Sequence, residues 1–468
     1  MAEAQGTVAE RNPNDRVCLL ASTGNITFQD TSDPYSPADA SPADTEPRGY
    51  FESAQWTPDG TTILTLSSSN TISGYVVPQD LLAPHIEPLS LYPQSTIPLP
   101  EPTNVLASSP YFNLSEAYTN QLLVSSRDHP IQLFYLFPPL SSHDNNSVSH
   151  APLASYPLTK ARSETFLTAT SLVWPAPGSH FIAGCRNLLA KFDITRTGEE
   201  PLLRIKTIPS ERHLSKGGGV GMRGTISTLS AQPPDQNGGS LVAAGTWTRW
   251  VGLYDFAQGG ECISTWSVES AAKETALADG SGSTAGTGGG GITQTIWSPC
   301  GRYLLISERK SRGILVYDVR VTGQLLGWLK GREARTNQRI QCDVFPGQDD
   351  FGGFEVWSGT TDGTVKMWEG VGSREGANEP AWGWEGHGST VGSTCLHQSG
   401  AVVATCSGSW TFPEDETCEL PHEGKHVGGR ESTAWMRRTN KESSLKFWGL
   451  GSQSDKDVTE HSDPGDGS

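Results

Sequence analysis

Two stretches of the chain share one alternation of apolar and polar positions. SAQWTPDGTTILTLSSSNTISGYVV (53–77) and TQTIWSPCGRYLLISERKSRGILVYDV (293–319) each begin with a segment ending in an aromatic and a Pro-x-Gly turn. A second apolar segment follows, ending in small polar residues, then a tight turn and a third segment closing on an aromatic. Short alternating runs bounded by Gly, Pro and Asn predict strands, and three in succession predict an antiparallel meander. The closing aromatic recurs at Tyr75, Phe134, Phe192, Tyr254, Tyr317, Trp368 and Trp448, which makes seven units spaced about 50–80 residues apart. The excess over the roughly 40–45 residues of a minimal four-strand repeat falls in polar stretches. These are 78–104, 138–152, 269–290, 370–380 and 408–443, expected to be surface loops.

A single meander is too small to bury a core of its own, so seven are expected to pack radially, each sheet covering the next. The prediction is an all-β, seven-bladed WD-repeat β-propeller over residues 51–449 with long loop insertions. YD at 254–255 and 317–318, GH at 386–387 and TDG at 361–363 are degenerate signatures of such repeats. The first meander starts directly at its inner strand, leaving the seventh blade one strand short after Trp448. Either VCLLAST (17–23) or NITFQDT (25–31) is expected to supply that strand and remove two open edges.

Composition adds little to the fold and more to the setting. No run approaches the 18 or so apolar residues of a membrane span, and the first 50 residues carry no basic start followed by an apolar run. Eight scattered cysteines suit a reducing compartment. The formal charge is −17, but residues 1–50 contribute −5 and residues 451–468 contribute −4, leaving −8 for 51–450. Residues 1–50 are expected to be mostly flexible apart from the closing strand, and 450–468 to be a disordered acidic tail.

Against that acidity stands LKGREARTNQRI (329–340), with Lys330, Arg332, Arg335 and Arg339 and a single acid, Glu333. It resembles the matching segment of the telomerase Cajal body protein family, as do QWTPDGTTILTLSSSNTISGY, SSRDHPIQLF, SGTTDGTVKMW and VVATCSGSWTFPE, in the same order across roughly residues 51–449. The resemblance implies a nuclear, non-enzymatic WD-repeat scaffold that binds small Cajal-body, H/ACA-type, telomerase or spliceosomal RNA and supports ribonucleoprotein assembly. The long Ser/Pro/Gly-rich insertions look like those of a fungal-type member, related to splicing-associated homologues. Expected partners are a small nuclear RNA and its ribonucleoprotein proteins, with no membrane, small-molecule substrate or cofactor. The expected form is a monomeric propeller in the nucleus, with a cytoplasmic pool.

In a propeller the turn between a blade's second and third strands lies on the same end as the connection to the next blade. Those turns carry Arg127, Arg186, Arg249, Arg309, Lys310 and Arg312, and the connection from blade five to blade six is the basic stretch itself. An arc of bases on one rim is therefore expected, beside Trp247, Trp250 and Trp328 for stacking, with Asn337 and Gln338 able to read base edges. The competing reading makes each of these an ordinary turn residue knitting the blades together. The function then becomes that of a purely protein-binding adaptor, as in a spliceosome or a ubiquitin ligase.

Three other signals are weighed and set aside. GVGMRG (219–224) and the glycines at 286–291 resemble a dinucleotide fingerprint, but neither follows a strand and opens a helix, so flexible blade entries are expected. Cys406, Cys418, His422 and His426 have ligand chemistry, yet the prolines and glycines around them oppose a helix that would gather them, and no metal site is expected. No G-x-S-x-G elbow is present and no catalytic residue is expected.

Overall fold

A computed structural model describes residues 16–26, 49–139, 151–208, 221–234, 241–278, 287–347, 353–410 and 441–451. Seven sheets follow one another along the chain, five of four antiparallel strands and two that add a fifth strand in parallel, and together form a seven-bladed β-propeller. Blade one is Phe51–Trp56, Thr62–Ser67, Thr71–Val76 and Ser95–Pro98. The other inner strands are Thr103–Ser108, Ser171–Val173, Ile226–Ala231, Ile292–Trp297, Cys342–Pro346 and Val391–Leu396.

Position within a blade explains the residue pattern. Thr62–Ser67 and Val402–Ser407 are second strands covered on both faces by neighbouring blades, and every residue in them is buried. Ser95–Pro98 is an edge strand and alternates buried with exposed, which lets it end on a proline whose nitrogen donates nothing. The seven closing aromatics all sit in third strands and are all buried, from Trp368 at 0% to Trp448 at 9% exposure. Burying a side chain of this size is worth roughly 1.5–3 kcal/mol, so each ring anchors its sheet against the next. Around TDG, Thr360 just before it donates to the Asp362 carboxylate, which also accepts from the Thr364 amide at 3.0 Å. In GH, His387 Nε2 lies 2.7 Å from Thr405 Oγ1, to which Trp448 Nε1 donates at 2.8 Å.

Val17–Ser22 supplies the fourth strand of blade seven, pairing antiparallel with Leu445–Leu450 so that Cys18 faces Gly449 and Ala21 faces Phe447. Its outer edge is covered in turn by Leu89–Ser90, reaching over from blade one in parallel register. Gly376–Asn378, from blade six, caps Leu325–Leu329 of blade five the same way.

These pairings correct three of the expected loops. Residues 78–104 contain the fourth strand of blade one and the strap on blade seven, and 370–380 contain the strap on blade five. Both are polar because edge strands keep one side in water. Residues 269–290 include a helix, Glu269–Ala278, with Ala271 and Thr275 fully buried. The expected loop segments 140–150 and 411–440 lie outside the described residues, as do most of the terminal segments.

The described parts of the glycine-rich entries, 221–224 and 287–291, are fixed rather than flexible. Met222 is buried in the blade-four core, Gly289 N donates to the Glu308 carboxylate at 2.8 Å, and Gly290 N donates to Arg309 O at 2.9 Å. A Cβ on Gly289 would stand 2.2 Å from Arg309 O, and one on Gly291, at φ +144°, 2.6 Å from Trp247 O. Glycine is required here by close approach of two backbones.

Candidate nucleic-acid interface

The turns between second and third strands build one end of the ring. Each must reverse direction in a few residues, and six of them place one residue in the left-handed region: Asn70, Asp128, Asn187, Arg249 (φ 67°), Lys310 (φ 55°) and Gly363. Asn, Asp and Gly tolerate that conformation, whereas Arg and Lys are uncommon there. Blades four and five thus put long basic side chains where the backbone favours small residues.

The stretch 330–341 is laid across this end and pinned on three sides. Ala334 N donates to Ser311 O at 3.0 Å, Arg332 N to Arg312 O at 3.1 Å, and Lys310 N to Thr336 O at 2.9 Å, fixing it to the blade-five turn. Thr361 Oγ1 donates to Glu333 O at 2.7 Å and Lys366 Nζ to Gly331 O at 2.6 Å, fixing it to blade six. Gln338 Nε2 reaches Gly408 O at 2.8 Å and Gln341 N reaches Gly392 O at 2.8 Å, fixing it to blade seven.

Several residues expected in the arc face inward. Arg332 is only 1% exposed; Nε donates to Ser358 Oγ at 3.1 Å, Nη2 donates to Ile340 O, and Nη1 has no partner. Burial pulls its pKa down, and it cannot reach a ligand in solvent. Trp328 is 7% exposed in the core between blades four and five and offers no stacking face, and Trp250, half-buried, packs one side against the core between blades three and four. Arg249 bonds Glu308 with Nε to Oε1 at 2.7 Å and Nη2 to Oε2 at 3.3 Å. Because the Glu308 side chain is 1% exposed, this pair stitches blade four to blade five rather than presenting a charge. Lys330 lies 3.4 Å from Glu379 beside the blade-five strap.

What remains outward is a smaller set. Arg127, Arg186, Lys310, Arg335 and Asn337 are exposed, and Arg312, Gln338 and Arg339 are half-buried. Arg335 lies 3.3 Å from Glu333 in a surface pair of the kind that contributes little. Trp247 is 41% exposed with the Arg309 guanidinium 5.9 Å over its ring, and Arg309 Nε is anchored to Gly290 O at 2.9 Å.

At the axis this end opens into a cavity of about 340 Å³ lined by residues from blades one, two and four and from the connection into blade six. Trp247, Asn337, Gln338 and Arg339 meet there with Glu52, Gln55 and Thr103. Burial pushes the Glu52 carboxyl up, opposed by the field of Arg339, and burial pulls Arg339 down.

No protein-family model matches the chain. Guanine nucleotide-binding protein negative regulator 1 of Schizosaccharomyces pombe is 28% identical over 69% of this chain and 71% of its own length. Telomerase Cajal body protein 1 of Homo sapiens is 26% identical over 88% of this chain and 66% of its own. Protein SWT21 of Candida glabrata is 25% identical over 67% of this chain and 65% of its own. The chain is a relative of the telomerase Cajal body proteins. It spans about two thirds of the length of these relatives.

In this telomerase Cajal body relative, further bases share the arc's end. Lys160 and Arg162 are exposed in the connection between blades two and three, and Arg223 lies in the connection into blade four, where Thr248 donates to its carbonyl. Reading every blade-to-blade connection for bases, not the fifth alone, would have found them. Glu52 had no such signal. Five inner strands shift register beside their second residue, between Phe51 and Ser53 in blade one, and this bulge takes Glu52 out of the alternation.

Among the described residues no group of three or more His, Cys, Asp or Glu is placed to hold a metal, and no helix is long and apolar enough to cross a membrane. Cys406 is fully buried in a second strand, and Cys418, His422 and His426 lie outside the described residues.

Proposed function

We propose that the chain is a non-enzymatic scaffold of the nucleus that binds single-stranded segments of a small nuclear RNA on the end bearing the turns between second and third strands, in support of ribonucleoprotein assembly. One observation carries the reading. In a chain of charge −17, bases recur in the turns between second and third strands and in the connection into blade six: Arg127, Arg186, Lys310 and Arg335 are exposed, Arg312 is half-buried, Arg309 lies 5.9 Å over the exposed Trp247 ring, and Trp247 and Arg339 line the polar axial cavity. Guanidinium groups take phosphate in two-pronged contacts, and an exposed indole accepts an unstacked base, so phosphates supply affinity and aromatics the preference for single strands. The names of the telomerase Cajal body relatives support a nuclear ribonucleoprotein setting.

The test is binding of a short single-stranded RNA to the purified chain at several salt concentrations. Arg309→Glu with Arg335→Glu should abolish binding at physiological salt, and their neutral variants should flatten the log–log salt slope by about 0.7 per lost phosphate contact. Undiminished binding by the double variant, or no RNA binding by the parent chain, would sink the reading. Recovery of protein partners without RNA would favour an adaptor instead.

A further inference from the structure

We propose that the axial cavity is a pocket for one flipped-out guanine base, held by Glu52 and Arg339, which both line it. This rests on the RNA reading above and adds to it the base that is recognised.

The argument starts from hydrogen-bonding capacity left unused. Glu52, Gln55, Asn337 and Arg339 all line the cavity, and among the described residues their side chains make no hydrogen bond or ion pair, although Glu52 and Arg339 are both half-buried. Glu52 and Arg339 feel each other's charge across the cavity, but half-buried charged groups whose hydrogen-bonding capacity is left unused are costly. Two of opposite sign that line one cavity without bonding each other leave room for a ligand presenting donors to one and acceptors to the other.

Guanine has that pattern. Its N1–H and N2 amino group suit a carboxylate, while O6 and N7 suit a guanidinium. Adenine would set its N6 amino group against Arg339, donor against donor. Uracil and cytosine lack the N7 acceptor that a purine offers a guanidinium while its other edge meets a carboxylate. Trp247, with Arg309 already stacked on it, offers a surface for the base plane or for its neighbour. The volume, about 340 Å³, sits at the small end of ligand sites, roughly 300–1,000 Å³, which admits a single nucleotide and excludes a duplex. The bulge at Phe51–Ser53, which four other inner strands share, takes Glu52 out of the strand alternation and lets it line the cavity.

The experiment compares uridine heptamers carrying one central guanosine, inosine or adenosine, titrated into the full chain and followed by fluorescence anisotropy. The wild type should favour guanosine over adenosine by about 5- to 150-fold, the range a two-pronged edge contact gives. It should favour guanosine over inosine, which lacks only the 2-amino group, by a smaller factor. Glu52→Gln should erase the preference against inosine while binding to the adenosine heptamer is kept, and Asn337→Ala, at an exposed position, gives a second variant that should lower the preference. Arg309→Glu should weaken all three heptamers together. If the wild type binds the three equally, the guanine pocket is overturned while RNA binding stands. If it binds none, both fall.

Discussion

The ring is held together differently on its two sides. Where blade seven meets the N-terminal strand the joint is main chain: Val17–Ser22 lies between Leu445–Leu450 and the strap Leu89–Ser90, with Ala21 fully buried. From blade four round to blade seven, main-chain contacts such as the strap Gly376–Asn378 on blade five are joined by charged side chains: Arg249 on Glu308, Arg332 on Ser358 and Ile340, and Asp343 of blade six accepting the Leu396 amide of blade seven at 2.8 Å. Main-chain pairing is cooperative and blind to side-chain identity. Charged joints depend on single residues, and they stand next to the end that carries the candidate interface.

The sharpest way to break the contrast is to remove the main-chain joint. Deleting residues 1–26 exposes the edge of Leu445–Leu450 and uncovers the core around Ala21, at a cost above about 5 kcal/mol, beyond what single substitutions ordinarily reach. Differential scanning calorimetry should show the cooperative transition lost or moved far down. An unchanged melting temperature would mean that the side-chain joints alone hold the ring.

Next comes Arg249→Ala, which leaves the buried Glu308 carboxylate without its cation and should cost about 3–5 kcal/mol in urea unfolding. Adding Glu308→Gln should recover much of the loss, and failure to recover any would mean that the charge is not what matters.

Asp343 tests the charged joints by pH. Burial raises its carboxyl from 3.8 to about 6, against the pull of the Leu396 and Val344 amides. The folded state therefore holds this proton longer than the unfolded state. The stabilisation is complete below the ordinary value and is lost as pH rises through about 6, a change on the order of 3 kcal/mol. Asp343→Asn should flatten that part of the stability–pH curve; a curve of the same shape would remove Asp343 as its source.

The smallest effect discriminates best between holding and binding. Lys310 occupies a left-handed turn position at φ 55°. Lys310→Asn should raise stability by up to about 1 kcal/mol through relief of that strain, while weakening RNA binding. Loss of both together would make Lys310 a structural residue.

The closing aromatics from Tyr75 to Trp448 were legible because a third strand must bury its last ring against the neighbouring blade, which fixes their chemistry and spacing. The fourth strands of blade one and the straps were not, because edge strands are short and half wet, and Ser95–Pro98 reads as a loop. The direction in which each base points was equally illegible. Arg332 and Arg335 are three residues apart in one polar stretch, yet one is buried and the other 58% exposed at its side chain, and only the fold of the connection decides between them. Arg249 was misjudged for want of its partner, since Glu308, at the end of a second strand, looks like any other turn-flanking acid until blade four is set beside it.

The main-chain joint also sets an order of events during synthesis. Cys18 and Gly449, which face each other across it, are 431 positions apart. At about 5–20 residues per second the N-terminal strand waits roughly 20–90 s for its partner to leave the ribosome, while the blades between can form in turn. Ring closure is then the last step and needs residues from both ends, so a prematurely terminated chain keeps an open edge. Completion of the circle reports that translation ran to blade seven.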